Sequence, residues 1–231
     1  METIELISLT LGSAWAAGIN LYAAVFVLGY MANTGAATLP PGLELLSDPL
    51  VMTAAGIMYG IEFFADKTPG VDTGWDTMHT FIRIPAGAMM AAGMAEGFNI
   101  GPAAEFAALL VGGGMAATSH MTKAGTRVMI NTSPEPFSNW TASITEDVAV
   151  IGGLWAALNH PVLFIGLLIL FILLAIWLLP RIWRAMKSIF GAIGRFFGGK
   201  GSEETKPSTS TSSENREDVL KKLYDDKDKS T

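Results

Sequence analysis

Glu62 and Asp66 stand four residues apart at the head of the stretch IEFFADKTPGVDTGWDTMHTFIR, and Asp72 and Asp76 repeat the interval after a Thr-Pro-Gly turn. Four residues is close to one helical turn, so each pair presents both carboxylates on one face. Hard oxygen donors in that pattern, with His79 nearby, suit Mg²⁺, Ca²⁺ or Mn²⁺ better than copper. The four acids are therefore candidate ligands for a divalent cation, or carriers of protons. The competing reading is that they are solvated or ion-paired, and Lys67 and Arg83 lie in the same stretch.

Two further clusters carry polar chemistry. In TSHMTKAGTR, residues His120, Lys123 and Arg127 fall at i, i+3 and i+7, one cationic stripe if the helix continues. That stripe serves either as an anion site or as a set of ion-pair partners for Glu62, Asp66 or Glu146. In NTSPEPFSNWTASITED, Pro134 and Pro136 enforce an extended bend, and Asn139 or Ser143 is placed to cap a helix beginning near Glu146 and Asp147. Acids at a helix start are commonly partners of its dipole. The chain has no nucleophile elbow, zinc motif or phosphate loop, and with no cysteine it has no thiol nucleophile or disulfide. No residue is assigned a catalytic role, the cofactor is left open with a divalent cation as the candidate, and a membrane-embedded enzyme ranks third among the functional readings.

The elements that must position these residues are apolar. Half of the 231 residues are hydrophobic, 16% are charged and the mean hydropathy is +0.40, which indicates an integral membrane protein. The fold class expected is all-α and polytopic, with about six transmembrane or re-entrant helices in residues 1–180. The clearest span, Val162 to Leu179, is uncharged and long enough to cross most of a hydrocarbon core of about 30 Å. The others are Leu6 to Met31, which carries Ser8, Thr10, Ser13 and Asn20, then Leu50 to Ala65, Ile84 to Met94, Pro102 to Ala117 and Thr145 to Leu158. The amino-terminal METIELISLT lacks the basic n-region of a secretory signal, so the first apolar segment is read as a retained helix. Gly56 and Gly60, Gly93 and Gly97, and Gly97 and Gly101 match the small-xxx-small spacing of close helix packing within the monomer, or of a homo-oligomer.

Charge is segregated along the chain. Residues 1–180 hold four basic side chains against thirteen acids, and the other eleven basic residues follow. If Arg181, Arg184, Lys187, Arg195 and Lys200 mark the inside, six crossings place the loops carrying Lys67 with Arg83 and Lys123 with Arg127 on the same side. The expected location is thus the cell (inner) membrane with a cytoplasmic carboxyl terminus. Residues 181–200 read as a basic amphipathic interfacial helix, with Ile182, Met186, Ile189, Ile193 and Phe197 on one face, suited to anionic lipid headgroups. Residues 201–231 are polar and Ser/Thr-rich and read as a disordered tail, with a short helix near Val219 to Tyr224. A net charge of −6 disfavours nucleic acid as a partner and leaves the bilayer as the expected one.

Three stretches, EFFADKTPGVDTGWDTMHTFIRIPAGA, SHMTKAGTRVMINTSPEPFSNW and TEDVAVIGGLWAALNHP, resemble a family of uncharacterised, mostly bacterial membrane proteins known as domain of unknown function 4126. The likeness covers nearly all of Leu11 to Arg184. It implies a multipass membrane protein and brings no activity with it. A second likeness is local: Glu62-Phe-Phe-Ala-Asp66-Lys67-Thr68 is similar to the E-x-G-D-K-[TS] signature of cation and proton exchangers, which implies cation binding at Glu62 and Asp66. This chain has one extra residue between the acids, lacks the glycine and has no second copy. The leading functional expectation is a small transporter of a cation, proton or anionic lipid or solute. The alternative is a non-transporting membrane scaffold or lipid-binding factor. What separates them is whether Glu62 and Asp66 line a cavity or close salt bridges with Lys123 and Arg127.

Overall fold

A computed structural model describes residues 3–68, 70–99, 101–132 and 136–197. Among these residues there are six α-helices and two 3₁₀ segments, and no strand. The α-helices are α1 (Thr3–Asn33), α2 (Pro49–Ala65), α3 (Val71–Ala95), α4 (Pro102–Ile130), α5 (Pro136–Asn159) and α6 (Pro161–Phe197). Two compact units are distinguished, Met1–Phe190 and Gly191–Thr231. Everything that follows concerns the first. The bend at Pro134, the polar tail, the short helix near Val219, and the side chains of Ile189, Ile193 and Phe197 lie outside the described residues.

The starts of the helices are set by local chemistry. Pro49, Pro102, Pro136 and Pro161 each open a helix, where the missing N–H costs no hydrogen bond. Asp48 caps α2 by accepting from the backbone N–H of Leu50 at 2.8 Å. Gly70, at φ +85°, makes the turn into α3, and its N–H donates to Asp72 Oδ1 at 2.9 Å. Because α5 begins at Pro136, Asn139 and Ser143 lie inside it and are not caps, and Glu146 and Asp147 are a further turn in.

The number of α-helices agrees with the six segments read from the sequence, but the middle helices are longer than their apolar cores. The charged stretches expected as wet loops are helical and buried. Asp72, Asp76, His79 and Arg83 belong to α3, while His120, Lys123 and Arg127 belong to α4, and all seven are buried. Lys67, between α2 and α3, is buried too. These four basic residues therefore do not act as loop charges, and they carry no information about which side of a membrane each loop occupies. Residues from Arg181 onward continue α6 past Pro180, so residue 180 is not an element boundary.

Helix α1 is the axis of the first unit and packs against α2, α3, α4 and α5. Small residues permit the close crossing of α1, α3 and α4. A Cβ on Gly18 would strike the Ala116 carbonyl, and one on Gly112 would strike the Ala91 methyl. Of the glycines singled out by spacing, Gly93 receives Leu43 and Gly97 receives Leu6, whereas Gly60 faces open space. On the far side of α1, Trp15 meets Phe164 and Phe171 of α6 edge to face, both with ring centroids 6.0 Å apart.

Polarity runs opposite to that of a water-soluble domain. Phe81 on α3 is 82% exposed, and Arg83, two residues on, is 0% exposed. Leu50, Phe64, Phe106, Phe137 and Leu170 are likewise exposed. Among the described residues, two helices, Thr3–Asn33 and Pro161–Ser188, are long and apolar enough to cross a membrane, and Pro49–Ala65 is a shorter apolar helix.

The packing leads to a stability prediction. Gly18→Ala is expected to destabilise the protein by about 1–3 kcal/mol through overpacking against α4. Gly60→Ala, with nothing near its new methyl, should be neutral or slightly stabilising. Thermal unfolding in detergent, followed by circular dichroism, checks the contrast; equal midpoints for the two variants would contradict the packing.

Candidate functional site

Lys123 of α4 sits at the centre of the buried charges. Its ammonium donates to Asp66 Oδ2 at 2.7 Å and to Glu62 Oε1 at 3.3 Å, and it lies 3.4 Å from Glu146 Oε2 and 3.7 Å from Asp76 Oδ1. Arg83 of α3 donates to the same Glu62 oxygen at 2.5 Å and to Asp76 Oδ1 at 2.9 Å. Arg127, one turn beyond Lys123, grips Glu146 with Nε to Oε1 at 3.2 Å and Nη2 to Oε2 at 2.7 Å. The other terminal nitrogen of Arg127 donates to the backbone carbonyls of Asp66, at 2.9 Å, and Asn139, at 3.1 Å. Four helices, α2 to α5, are thereby joined through side chains with little or no exposure.

Helix α1 enters the network through a break. Asn20 has φ −144° and ψ 95°, inside a segment that is otherwise helical on both sides. Its side-chain oxygen accepts from the Ala23 N–H at 2.9 Å, capping the second half-helix, and its amide donates to Asp147 Oδ1 at 3.0 Å. The first half-helix ends with unsatisfied carbonyls. Ile19 O accepts from the Lys123 ammonium at 3.1 Å, and Trp15 O accepts from Ser119 Oγ at 2.9 Å. A cation thus meets the negative end of one half-helix, and Asp147, through Asn20, is held beside the positive end of the other.

The carboxylates are not fully satisfied. Among the described residues, Glu62 Oε2, Asp66 Oδ1, Asp76 Oδ2 and Asp147 Oδ2 are buried with no donor at hydrogen-bond distance, although the Tyr59 hydroxyl lies beside Asp147, and Arg83 Nε is buried with no acceptor. Buried acceptors in this condition are costly, and four in one cluster call for an explanation. Five acids, Glu62, Asp66, Asp76, Glu146 and Asp147, stand against four bases, Lys67, Arg83, Lys123 and Arg127, so the fully ionised cluster carries one excess negative charge.

Both buried histidines adjoin the cluster. His120 Nδ1 faces Arg83 Nη1 at 3.3 Å, and because a guanidinium only donates, Nδ1 must accept. Its Nε2–H then donates to Thr80 Oγ1 at 2.7 Å. His79 bonds the Tyr22 hydroxyl through Nε2 at 3.0 Å and the Trp75 carbonyl through Nδ1 at 2.8 Å, with its ring stacked on Trp75.

Among the residues singled out from sequence, Glu62, Asp66, Asp76, Arg83, His120, Lys123, Arg127 and Glu146 come together. Asp147 reaches the cluster through Asn20. Lys67 lies at its edge, donating to Ser143 Oγ at 3.1 Å and resting over the Phe63 ring. Asp72 stands apart: both its oxygens accept from Asn131, at 2.8 and 3.0 Å, and Oδ1 also accepts from the Gly70 and Thr73 backbone. Among the described residues, no group of three or more His, Asp or Glu side chains is placed to hold a metal ion. Not anticipated as site residues are Asn20, Tyr22, Thr80 and Asn131. Asn20 was the most legible of these, an amide in the middle of an apolar run two residues after Gly18.

A family model described as a domain of unknown function, DUF4126, matches residues 7–181. No curated protein and no solved structure matches the chain.

The ion-pair geometry yields a test of its own. Arg127→Met leaves Glu146 and the Asp66 and Asn139 carbonyls buried without their donor, and is expected to cost about 3–5 kcal/mol. Adding Glu146→Leu should recover part of that loss, since the pair is then replaced by apolar side chains. A double-mutant cycle in detergent measures it; additive losses would mean that the two residues do not interact.

Proposed function

Since the chain belongs to the DUF4126 family, whose description names no activity, we propose from the site itself that this is a small multipass membrane transporter that carries protons through the buried cluster around Lys123. The observation that carries the reading is the acid excess, together with four buried carboxylate oxygens that have no donor. One proton shared among Glu62, Asp66, Asp76 and Asp147 would cancel the charge and give one of these oxygens at a time a hydrogen-bonded proton. Proton binding is favoured over a divalent cation because Lys123 and Arg83 already fill the space between the carboxylates, and because Asp72 faces Asn131.

Three further features support it. The exterior is apolar and the interior is charged, the arrangement expected when the surroundings are lipid. The break at Asn20 falls near the middle of α1, and irregular backbone at membrane depth is tolerated where it lies inside protein and serves a site. Transporters commonly use such interrupted helices, with half-helix ends turned toward charge. The roles follow from the contacts. Glu62 is the candidate proton carrier, shared between Arg83 and Lys123; His120 and Thr80 extend the hydrogen-bonded chain from Arg83, and Asn20 sets the hinge.

A second reading has one observation in its favour: every cation of the cluster is engaged, so the network could act purely as a clamp joining α2 to α5 in a scaffold. Proton flux separates the two. Purified protein in liposomes loaded with a pH-sensitive dye, driven by a potassium gradient and valinomycin, should acidify faster than empty liposomes. Glu62→Gln should keep its melting temperature within a few degrees and lose at least about tenfold of the flux, the size of a removed proton carrier. Wild-type flux no greater than that of empty liposomes would sink the transport reading, and a Glu62→Gln protein that unfolds would favour the clamp.

A further inference from the structure

A cavity lies apart from the charge cluster, with none of the cluster's residues in its walls. It is a groove of about 480 Å³ between the start of α3, the later half of α4 and the part of α6 around Pro180. Thr73, Thr77, Met121, Ala124, Leu179 and Trp183 are among its walls, and no charged side chain lines it. The volume is that of a small-ligand pocket, and the exposure of Met121 and Trp183 leaves it reachable from outside.

Two basic residues adjoin walls of this groove. Leu179, Trp183 and Met186 fall at i, i+4 and i+7 on α6 and form one wall. Lys187 lies one turn past Trp183, with its ammonium 5.4 Å from that ring. Arg184 lies one turn past Pro180, another lining residue, and its Nε donates to the Pro180 carbonyl at 3.3 Å. Both basic side chains are exposed and neither has a carboxylate partner among the described residues. An apolar groove bordered by two cations that have no carboxylate partner among the described residues matches a molecule with a hydrocarbon chain and an anionic head.

We propose that the groove binds one acyl chain of an anionic phospholipid, whose phosphate is held by Arg184 and Lys187. The proposal goes beyond the proton-transport reading and stands independently of it. A second copy of the chain is a poorer occupant, because two-fold pairing through this face would bring the same unpaired cations together. The bound lipid would wedge α6 against α3 and α4, next to the place where Ile182 rests on Gly125.

The full chain, reconstituted in vesicles of mixed phosphatidylglycerol and phosphatidylcholine and released into mild detergent, can be examined by native mass spectrometry. Wild type should retain phosphatidylglycerol over phosphatidylcholine by about thirtyfold, as two juxtamembrane cations would give. The surface double variant Arg184→Gln/Lys187→Gln should lose that preference without loss of folding. Ala124→Trp, which fills the groove, should lose the retained lipid of both kinds. Should Ala124→Trp fail to fold, the surface double variant still decides the matter. Equal retention of the two lipids by wild type, an undiminished preference in the double variant, or protein dimers that Ala124→Trp dissolves would each overturn the proposal.

Discussion

Burying charge in an apolar surround is the constraint from which the rest of this molecule follows. An isolated ionised side chain in such a place costs several kcal/mol or more, so each one must find a counter-charge or a dipole. Lys123 meets this requirement by drawing Glu62 and Asp66 from α2, lying close to Asp76 of α3 and Glu146 of α5, and taking the Ile19 carbonyl of α1. Helices whose outer faces are uniformly apolar have little else to fix their mutual register. The polar centre does so, with Gly18, Gly87 and Gly112 letting the backbones come near enough for the short side chains to meet.

The same constraint explains the broken helix. A continuous α1 would keep its carbonyls engaged in its own ladder and offer nothing to Lys123. Interrupting it at Asn20 releases Ile19 O to Lys123 of α4, while the Asn20 side chain repairs the start of the next segment. The interruption costs helical hydrogen bonds and returns polar groups of both signs at the level of the charges. Even so, the acids outnumber the bases by one, and four of their oxygens find no donor. A purely structural clamp has no need of that surplus, whereas a site that takes up and releases a proton does.

Much of the site was legible in spacing. The interval between Glu62 and Asp66, and the run from His120 through Lys123 to Arg127, placed each set on one helical face, and the structure turns those faces toward one another. The six apolar segments also foretold the six α-helices. What the sequence concealed was depth. Charge in Asp72 to Arg83 and in His120 to Arg127 reads equally as solvation or as ion pairing in one dimension, because, apart from Asp76 seven residues from Arg83, the carboxylates that neutralise it lie 19 to 61 residues away. Asp72 looked equivalent to Asp76 yet serves the start of α3 and Asn131, since one turn of helix moves a side chain from the cluster to the helix end. Asn20 was visible as an oddity, but its role depends on Lys123 and Asp147, more than a hundred residues further along the chain.

A proton-carrying cluster must hold an exchangeable proton on a buried carboxyl group. Infrared difference spectroscopy of the membrane-reconstituted protein, recorded across a pH change, reads that group directly through its protonated carbonyl stretch. The expected spectrum has a carboxylic-acid band that shifts on exchange into D₂O, titrates with pH and disappears in Glu62→Gln. A spectrum with no protonated carboxyl attributable to the buried acids at any pH at which the protein stays folded would contradict it.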